Sequence, residues 1–142
     1  YINSPEYDKS IEPIPYDPAA AKKLLEEAGW VDHDGDGIRD KDGVKFAFES
    51  LIPGGSDTGE KIATILKEEL DAVGIEMTIR KTEWAVFTTR LNDRKFDAVT
   101  LAWSMGIESD PYQIWSSTQA EAGSNFIGFK NAETDRLIEE AR

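Results

Sequence analysis

Apolar residues recur along this chain with two different periods, and the switches between them mark out its elements. From Asp17 to Gly29, Ala21, Leu24, Leu25 and Ala28 fall at the spacing of one helix face, with Glu26 and Glu27 toward solvent. Asp17 offers an oxygen to the free N–H groups of a first turn, Pro18 suits the first helical position, and Gly29 suits the residue that ends the helix. Trp30 and Val31 are expected to fold back onto it. Val44–Ile52 is a strand, with Val44, Phe46, Phe48 and Ser50 on one face and Ala47 and Leu51 on the other; Pro53–Gly54–Gly55 breaks it. Ser56 or Asp57 then caps a second helix that runs to about Val73 and stops at Gly74. Its stripe is Ile62, Ala63, Ile65, Leu66, Leu70 and Val73, with Lys61, Lys67, Glu68 and Asp71 facing out. Ile75–Lys81 alternates Ile75, Met77 and Ile79 inward against Glu76, Thr78 and Arg80, as a half-buried strand does. Strand, helix and strand in this order imply a right-handed parallel crossover.

Thr82 is expected to cap a third helix with Trp84, Phe87 and Leu91 on its apolar stripe, ended by Asn92–Asp93. Phe96–Trp103 follows as a core strand carrying Phe96, Ala98, Val99, Leu101, Ala102 and Trp103. It opens into a polar bend of Ser104, Gly106, Glu108, Ser109, Asp110 and Pro111, after which Tyr112, Ile114 and Trp115 restore apolar character. A core strand that ends in an aromatic residue and a polar loop is how α/β proteins build ligand sites, because a rigid scaffold holds a variable loop. Tyr112–Ser117 reads as a short helix, Gln119–Ser124 as a small polar connection and Asn125–Phe129 as a short strand. Asn131 caps a last helix with Leu137, Ile138 and Ala141 as its apolar positions. Residues 1–16, with Pro5, Pro13 and Pro15 and no periodicity, read as an extended lead-in, leaving 17–142 as a single α/β domain.

Composition agrees with one packed domain. The chain has 142 residues, 39% apolar and 10% aromatic, with charges dispersed among apolar positions. A net charge of −12, from 28 acidic and 16 basic residues, argues against nucleic acid and against docking on anionic lipid. Its bland consequence is solubility. With no cysteine, disulfides, thiolate metal sites and Cys nucleophiles are excluded. The single histidine, His33, lies in an Asp-rich loop without a nucleophile beside it. No run approaches a membrane span, and no signal peptide is expected within this stretch. An ordinary-looking start and an end inside an apparent helix suggest a piece of a longer protein.

Three features could carry chemistry. Asp32, Asp34, Asp36, Gly37, Ile38 and Asp40 match the opening places of a calcium loop, where alternate carboxylates and the Ile38 carbonyl converge on a hard cation. The twelfth place, where a bidentate Glu belongs, is Gly43, with Asp42 out of register, and a strand follows in place of a helix. The competing reading is an Asp/Gly-rich solvated turn, with a structural calcium as the most the loop would hold and no cofactor required. Glu108 and Asp110 are paired carboxylates, but their flanks are polar, and Asp110 suits a cap for a helix beginning at Pro111. Trp30, Trp84, Trp103 and Trp115 can stack on ligands or pack a core. The helical stripe assigns Trp84 to the core. Pro53–Gly54–Gly55 lacks the Gly-Lys-Ser/Thr that a phosphate loop needs.

The segments DPAAAKKLLEEAGW, DGDGIRDKDG, LDAVGIEMTIR, FDAVTLAWSMGIESDPYQIW and NFIGFKNAETDRLIEEAR, in this order, resemble the family 5 extracellular solute-binding proteins, the dipeptide-, oligopeptide- and nickel-type receptors of ABC importers. The resemblance covers the chain from about Ile11 onward. It implies a non-enzymatic, two-lobed periplasmic-binding-protein (type II) fold that traps a solute by hinge closure. This chain would form most of the C-terminal lobe, a mixed sheet flanked by helices. It further implies a periplasmic or cell-surface location, a small solute such as a peptide or oligosaccharide, and ABC permease subunits as partners of the full-length protein. Trp103, Ser104, Met105, Gly106, Glu108 and Asp110 become the expected cleft lining. Peptide-binding members place an acid a few residues after this Trp to pair with the ligand's amino terminus; here Gly106 stands three residues beyond Trp103, which counts against a free peptide. The rivals are a stand-alone calcium module and a small hydrolase, for which no nucleophile–base set exists.

Overall fold

The structure, a computed structural model, describes residues 7–103 and 110–142. Helix α1 (Pro18–Glu27) begins as expected, with Asp17 Oδ1 accepting the Ala20 N–H at 2.9 Å. The acidic loop leads into an antiparallel ribbon, β1 (Asp40–Lys41) and β2 (Val44–Lys45). The turn between them is Asp42–Gly43, with φ of 54° and 76°, the Asp-Gly pair that two-residue hairpins favour. The strand expected over Val44–Ile52 is therefore two elements. Val44–Lys45 belongs to the ribbon, while β3 (Ala47–Pro53) enters the main sheet. Phe46 between them donates to the Arg39 carbonyl, and its ring lies 4.5 Å from that of Trp30.

β3 is the centre of a three-stranded sheet, with β4 (Glu76–Thr82) on one side and β5 (Ala98–Val99) on the other, both parallel to it. Among the described residues, antiparallel pairing occurs in the separate ribbon and in the bridge that joins Val31 to its Asp40. Ser50, Leu51 and Ile52 are buried in succession, as in a strand covered on both faces. The chain leaves β3 through α2 (Asp57–Asp71) toward β4, then returns through α3 (Trp84–Asn92) across β3 to β5. Right-handed crossovers in opposite directions put the two helices on opposite faces. Leu51 accordingly packs with Phe87 and Leu91 of α3, and the pleat turns Ser50 and Ile52 toward the α2 layer.

β5 is much shorter than the expected Phe96–Trp103. Its ladder ends with Thr100 N–H donating to the Leu51 carbonyl at 3.4 Å, because the next donor on β3 would be Pro53, which has no N–H. The stripe of α2 is also only partly covered. Ala63 and Val73 are buried, whereas Ile62, Ile65 and Leu66 are exposed, as is Leu24 on α1. A helical period shows that a face is apolar; the width of the sheet beneath decides how much of it is covered. Thr82 does not cap α3. It is the last residue of β4, its carbonyl takes the Gly54 N–H at 2.8 Å, and Glu83 occupies the cap position with no side-chain bond.

Past residue 110, α4 (Tyr112–Trp115), a 3₁₀ turn (Ser117–Gln119) and α5 (Ala132–Glu140) complete the chain. Asn131 caps α5 as expected, accepting the Thr134 N–H at 2.9 Å. Ile138 is buried and Leu137 exposed. Asn125–Phe129 is not a strand. The fully buried Asn125 side chain donates to the carbonyls of Ser116 and Phe129 and accepts the Phe129 N–H, closing the segment into a loop.

Two polar joints hold the layers. The buried Arg39 guanidinium donates to the Val73 and Trp30 carbonyls at 2.8 Å and to Glu26 at 3.2 Å, tying α1 to the end of α2. Gly74 lies so close to it that an added Cβ would meet Arg39 Cγ at 2.9 Å. Glu49 on β3 pairs with Arg80 of β4 at 2.8 Å and Arg90 of α3 at 3.0 Å; the Arg80 bond first, then Arg90, holds its carboxyl below the usual range.

Candidate functional site

In open parallel sheets, ligands sit outside the carboxyl ends of the strands, in the crevice where neighbouring connections diverge. Here that point lies between the ends of β3 and β5. The chain leaving β3 turns toward β4, while β5 is entered from the opposite side. Gly54–Gly55 follows β3, Glu83–Trp84 follows β4 and Thr100–Trp103 follows β5. Because the three strands are parallel, all three segments leave from the same carboxyl edge of the sheet. At Gly54 a Cβ would meet the Thr82 carbonyl at 3.2 Å, so a small residue lets the chain turn tightly here.

Each of these tryptophans lies against a phenylalanine. Trp103 is nearly parallel to Phe126, with centroids 6.0 Å apart and 5° between planes. Trp84 stacks on the fully buried Phe87 at 5.5 Å and 17°. Trp103 is nonetheless 46% exposed and Trp84 59% exposed. An indole fixed against a ring below and open to solvent is an apolar plate whose orientation is paid for in advance. Such plates stack on peptide planes, aromatic groups and sugar rings. The Thr82 hydroxyl, at the end of β4, is buried with no hydrogen-bond partner among the described residues.

Of the expected cleft lining, Trp103 lies past the end of β5 and not within it, as the expected Phe96–Trp103 strand had it, and is half-exposed. Ser104, Met105, Gly106 and Glu108 lie outside the described residues. Asp110 is committed elsewhere, one oxygen accepting the Tyr112 N–H at 2.9 Å and the other lying 3.3 Å from Arg142 Nε. It thus steadies the entry to α4, whose cap position is Pro111 and not Asp110. Trp84 is the residue that sequence reasoning misplaced. Its stripe position with Phe87 and Leu91 suggested core, but it stands at the first turn, beyond the edge of the sheet. The available signal was its position immediately after a strand, where α/β proteins carry function.

The acidic loop spends its carboxylates on itself. Asp32 accepts the N–H groups of Gly35 and Gly37 at 2.8 and 2.9 Å, Asp34 that of Asp36 at 3.3 Å, and Asp36 that of Ile38 at 2.9 Å. Asp40 accepts the His33 N–H at 3.1 Å and faces its Nδ1 at 2.9 Å. Asp32, Asp34 and Asp40 do each bring one oxygen within 4.8 Å of the others. Asp36 is instead paired with Lys45, whose ammonium also lies 3.3 Å from Asp34. Lys45 thus supplies positive charge to the cluster, and Gly43 in the ribbon turn offers no ligand at the twelfth place. Calcium at about millimolar concentration, the range of weak extracellular sites, is expected to leave the melting temperature unchanged. A clear rise, abolished in Asp32→Asn, would restore the metal reading.

A groove of about 360 Å³ lies away from the crevice. Lys22, Glu26, Asp32, Arg39 and Asp71 line it at the far end of α2, around the Arg39 joint. Arg39 and Glu26 in its wall are already paired with each other across the joint, so volume alone does not locate the site.

Residues 2–125 match the model of the bacterial extracellular solute-binding proteins, family 5 Middle. The oligopeptide-binding protein AppA of Bacillus subtilis is 38% identical over 137 residues, covering 95% of this chain and 25% of that protein. Its structure in complex with a nonapeptide superposes with a TM-score of 0.86 at 39% identity, over 95% of this chain and 28% of that one. A mannohexaose-bound periplasmic oligopeptide-binding protein from Thermotoga maritima gives a TM-score of 0.75 at 26% identity, over 88% of this chain and 25% of that one. NikA from Brucella suis, in complex with Fe(III)-EDTA, gives 0.80 at 29% identity, over 97% of this chain and 28% of that one. The chain spans about a quarter of the length of the curated relatives it matches.

Proposed function

The chain belongs to the bacterial extracellular solute-binding proteins of family 5, and on that premise we propose that it forms one wall of the solute cleft in the capture component of an ABC importer. The observation that carries this reading is the exposed, Phe-backed Trp103 at the divergence point of the sheet, with Trp84 on the other side of β3. The site captures its solute without transforming it, outside the cytoplasmic membrane, and the assembled receptor delivers it to permease subunits. No helix among the described residues is long and apolar enough to cross a membrane. The other wall of the cleft comes from parts of the receptor beyond this chain.

Oligopeptide is the solute class we propose, supported by the 38% identity to an oligopeptide-binding protein over nearly the whole chain. Oligosaccharide is the second reading, favoured by the mannohexaose in the Thermotoga relative and by Gly106 standing three residues after Trp103. Aromatic plates serve both classes, so calorimetric titration of the intact receptor with oligopeptides and with manno-oligosaccharides separates them. In whichever class binds, Trp103→Ala is expected to weaken affinity about 10- to 100-fold, as loss of a buried aromatic anchor does, and Trp84→Ala by less. Unchanged affinity in Trp103→Ala would remove the crevice from the site.

A further inference from the structure

We infer that Arg94 is the positioning residue of the Trp103 plate, an inference that rests on the cleft reading above for its effect on affinity. Arg94 follows the C-cap of α3 with φ of 57°, in the left-handed region that ordinarily falls to glycine at a helix end. An L-residue there carries a cost in backbone strain. Side-chain contacts offset that cost. The guanidinium donates to the carbonyls of Asn92 at 2.8 Å and of Ala120 and Gly123 at 3.0 Å. It also lies over the Phe126 ring, 5.2 Å from its centroid. One side chain therefore ties the end of α3 to the segment carrying Phe126. Phe126 is the ring against which Trp103 stacks. Among the described residues no strand pairing reaches Trp103, and this stack holds its plane.

The chemistry suits the task. A planar guanidinium can bond two carbonyls and lie over an aromatic face at once, and an ammonium cannot reproduce that geometry. Glycine at this position would relieve the backbone and release the clamp, which separates positioning from folding.

The test uses the intact receptor labelled with 5-fluorotryptophan, its Trp103 resonance assigned through Trp103→Phe. Arg94→Gly should keep the parent melting temperature to within a few degrees, since relieved strain offsets lost bonds. It should shift or broaden the Trp103 fluorine signal while leaving that of Trp30 in place. Affinity for the oligopeptides or manno-oligosaccharides that the parent binds should fall about fivefold or more. Arg94→Lys should disturb Trp103 in the same way but keep the backbone strain, and so melt lower than Arg94→Gly. An unmoved Trp103 signal in Arg94→Gly overturns the inference. So does a moved signal with parent affinity when Trp103→Ala itself weakens binding. If the signal moves and neither variant alters affinity, positioning stands and the cleft reading falls.

Discussion

Replacing Phe87 with alanine is expected to lower stability by about 3–5 kcal/mol, the range for emptying a large aromatic site in a packed core. Phe87 is fully buried against Leu51 and Leu91, with Phe96, Val99, Leu101 and Phe126 packed around them. It is the residue through which α3 holds the central strand, and its neighbours come from β3, β5 and the segment beyond α4. A cavity at the junction of so many segments cannot collapse by moving one of them. Against the 5–15 kcal/mol that separates folded from unfolded domains, the loss is a large fraction. The same ring backs Trp84, so the variant that still folds should also lose solute affinity through a plate that no longer lies flat. Phe87→Leu, which keeps most of the volume, should recover more than half the stability. Denaturant unfolding of the intact protein measures both, and a Phe87→Ala midpoint close to the parent's would show that the cluster is not the core that joins α3 to the sheet.

The second large effect is expected at Asn125. Its amide makes three hydrogen bonds inside a fully buried site, two to carbonyls and one from the Phe129 N–H. Asn125→Ala leaves those backbone groups without partners, and unsatisfied buried groups cost about 1–3 kcal/mol each unless water enters. A loss on the order of 3 kcal/mol is expected. Asn125→Asp should do no better near neutral pH, because a carboxylate cannot donate to the Ser116 and Phe129 carbonyls and its charge would be buried. Burial there raises the carboxyl's folded-state pKa above its unfolded value. The deficit should therefore shrink as the pH falls, once the protonated group regains a donor. Melting temperature against pH, compared with Asn125→Ala, reads this directly; an Asp variant insensitive to pH would mean the site is open to water. Because Phe126 is the next residue, both variants should also disturb the Trp103 stack.

Local signals were legible wherever the interaction that decides a structure spans a few residues. The caps Asp17, Ser56 and Asn131 were all visible as side-chain oxygens ahead of an apolar stripe, and each makes its bond to an N–H three residues on. The β3–α2–β4 crossover followed from element order, and Phe87 and Leu91 from helical spacing. Failures came where a distant partner intervened. Thr82 looked like a cap, but Gly54 draws its carbonyl into the end of β4. Asn125–Phe129 had the look of a strand, yet the Asn125 amide takes the place of a pairing neighbour.

The order of segments by itself determined the family and the α/β class. These depend on periodicity and on which residue follows which, and a sequence records both. Tertiary structure alone decided that Trp84 joins Trp103 at the same edge and that Arg94 reaches the ring beneath Trp103. It also decided that Ile62, Ile65 and Leu66 remain uncovered on a helix whose stripe is plainly apolar. The reason is geometric. Exposure and stacking depend on where segments tens of residues apart are brought by the crossing of α3 over β3, and no local pattern encodes that distance.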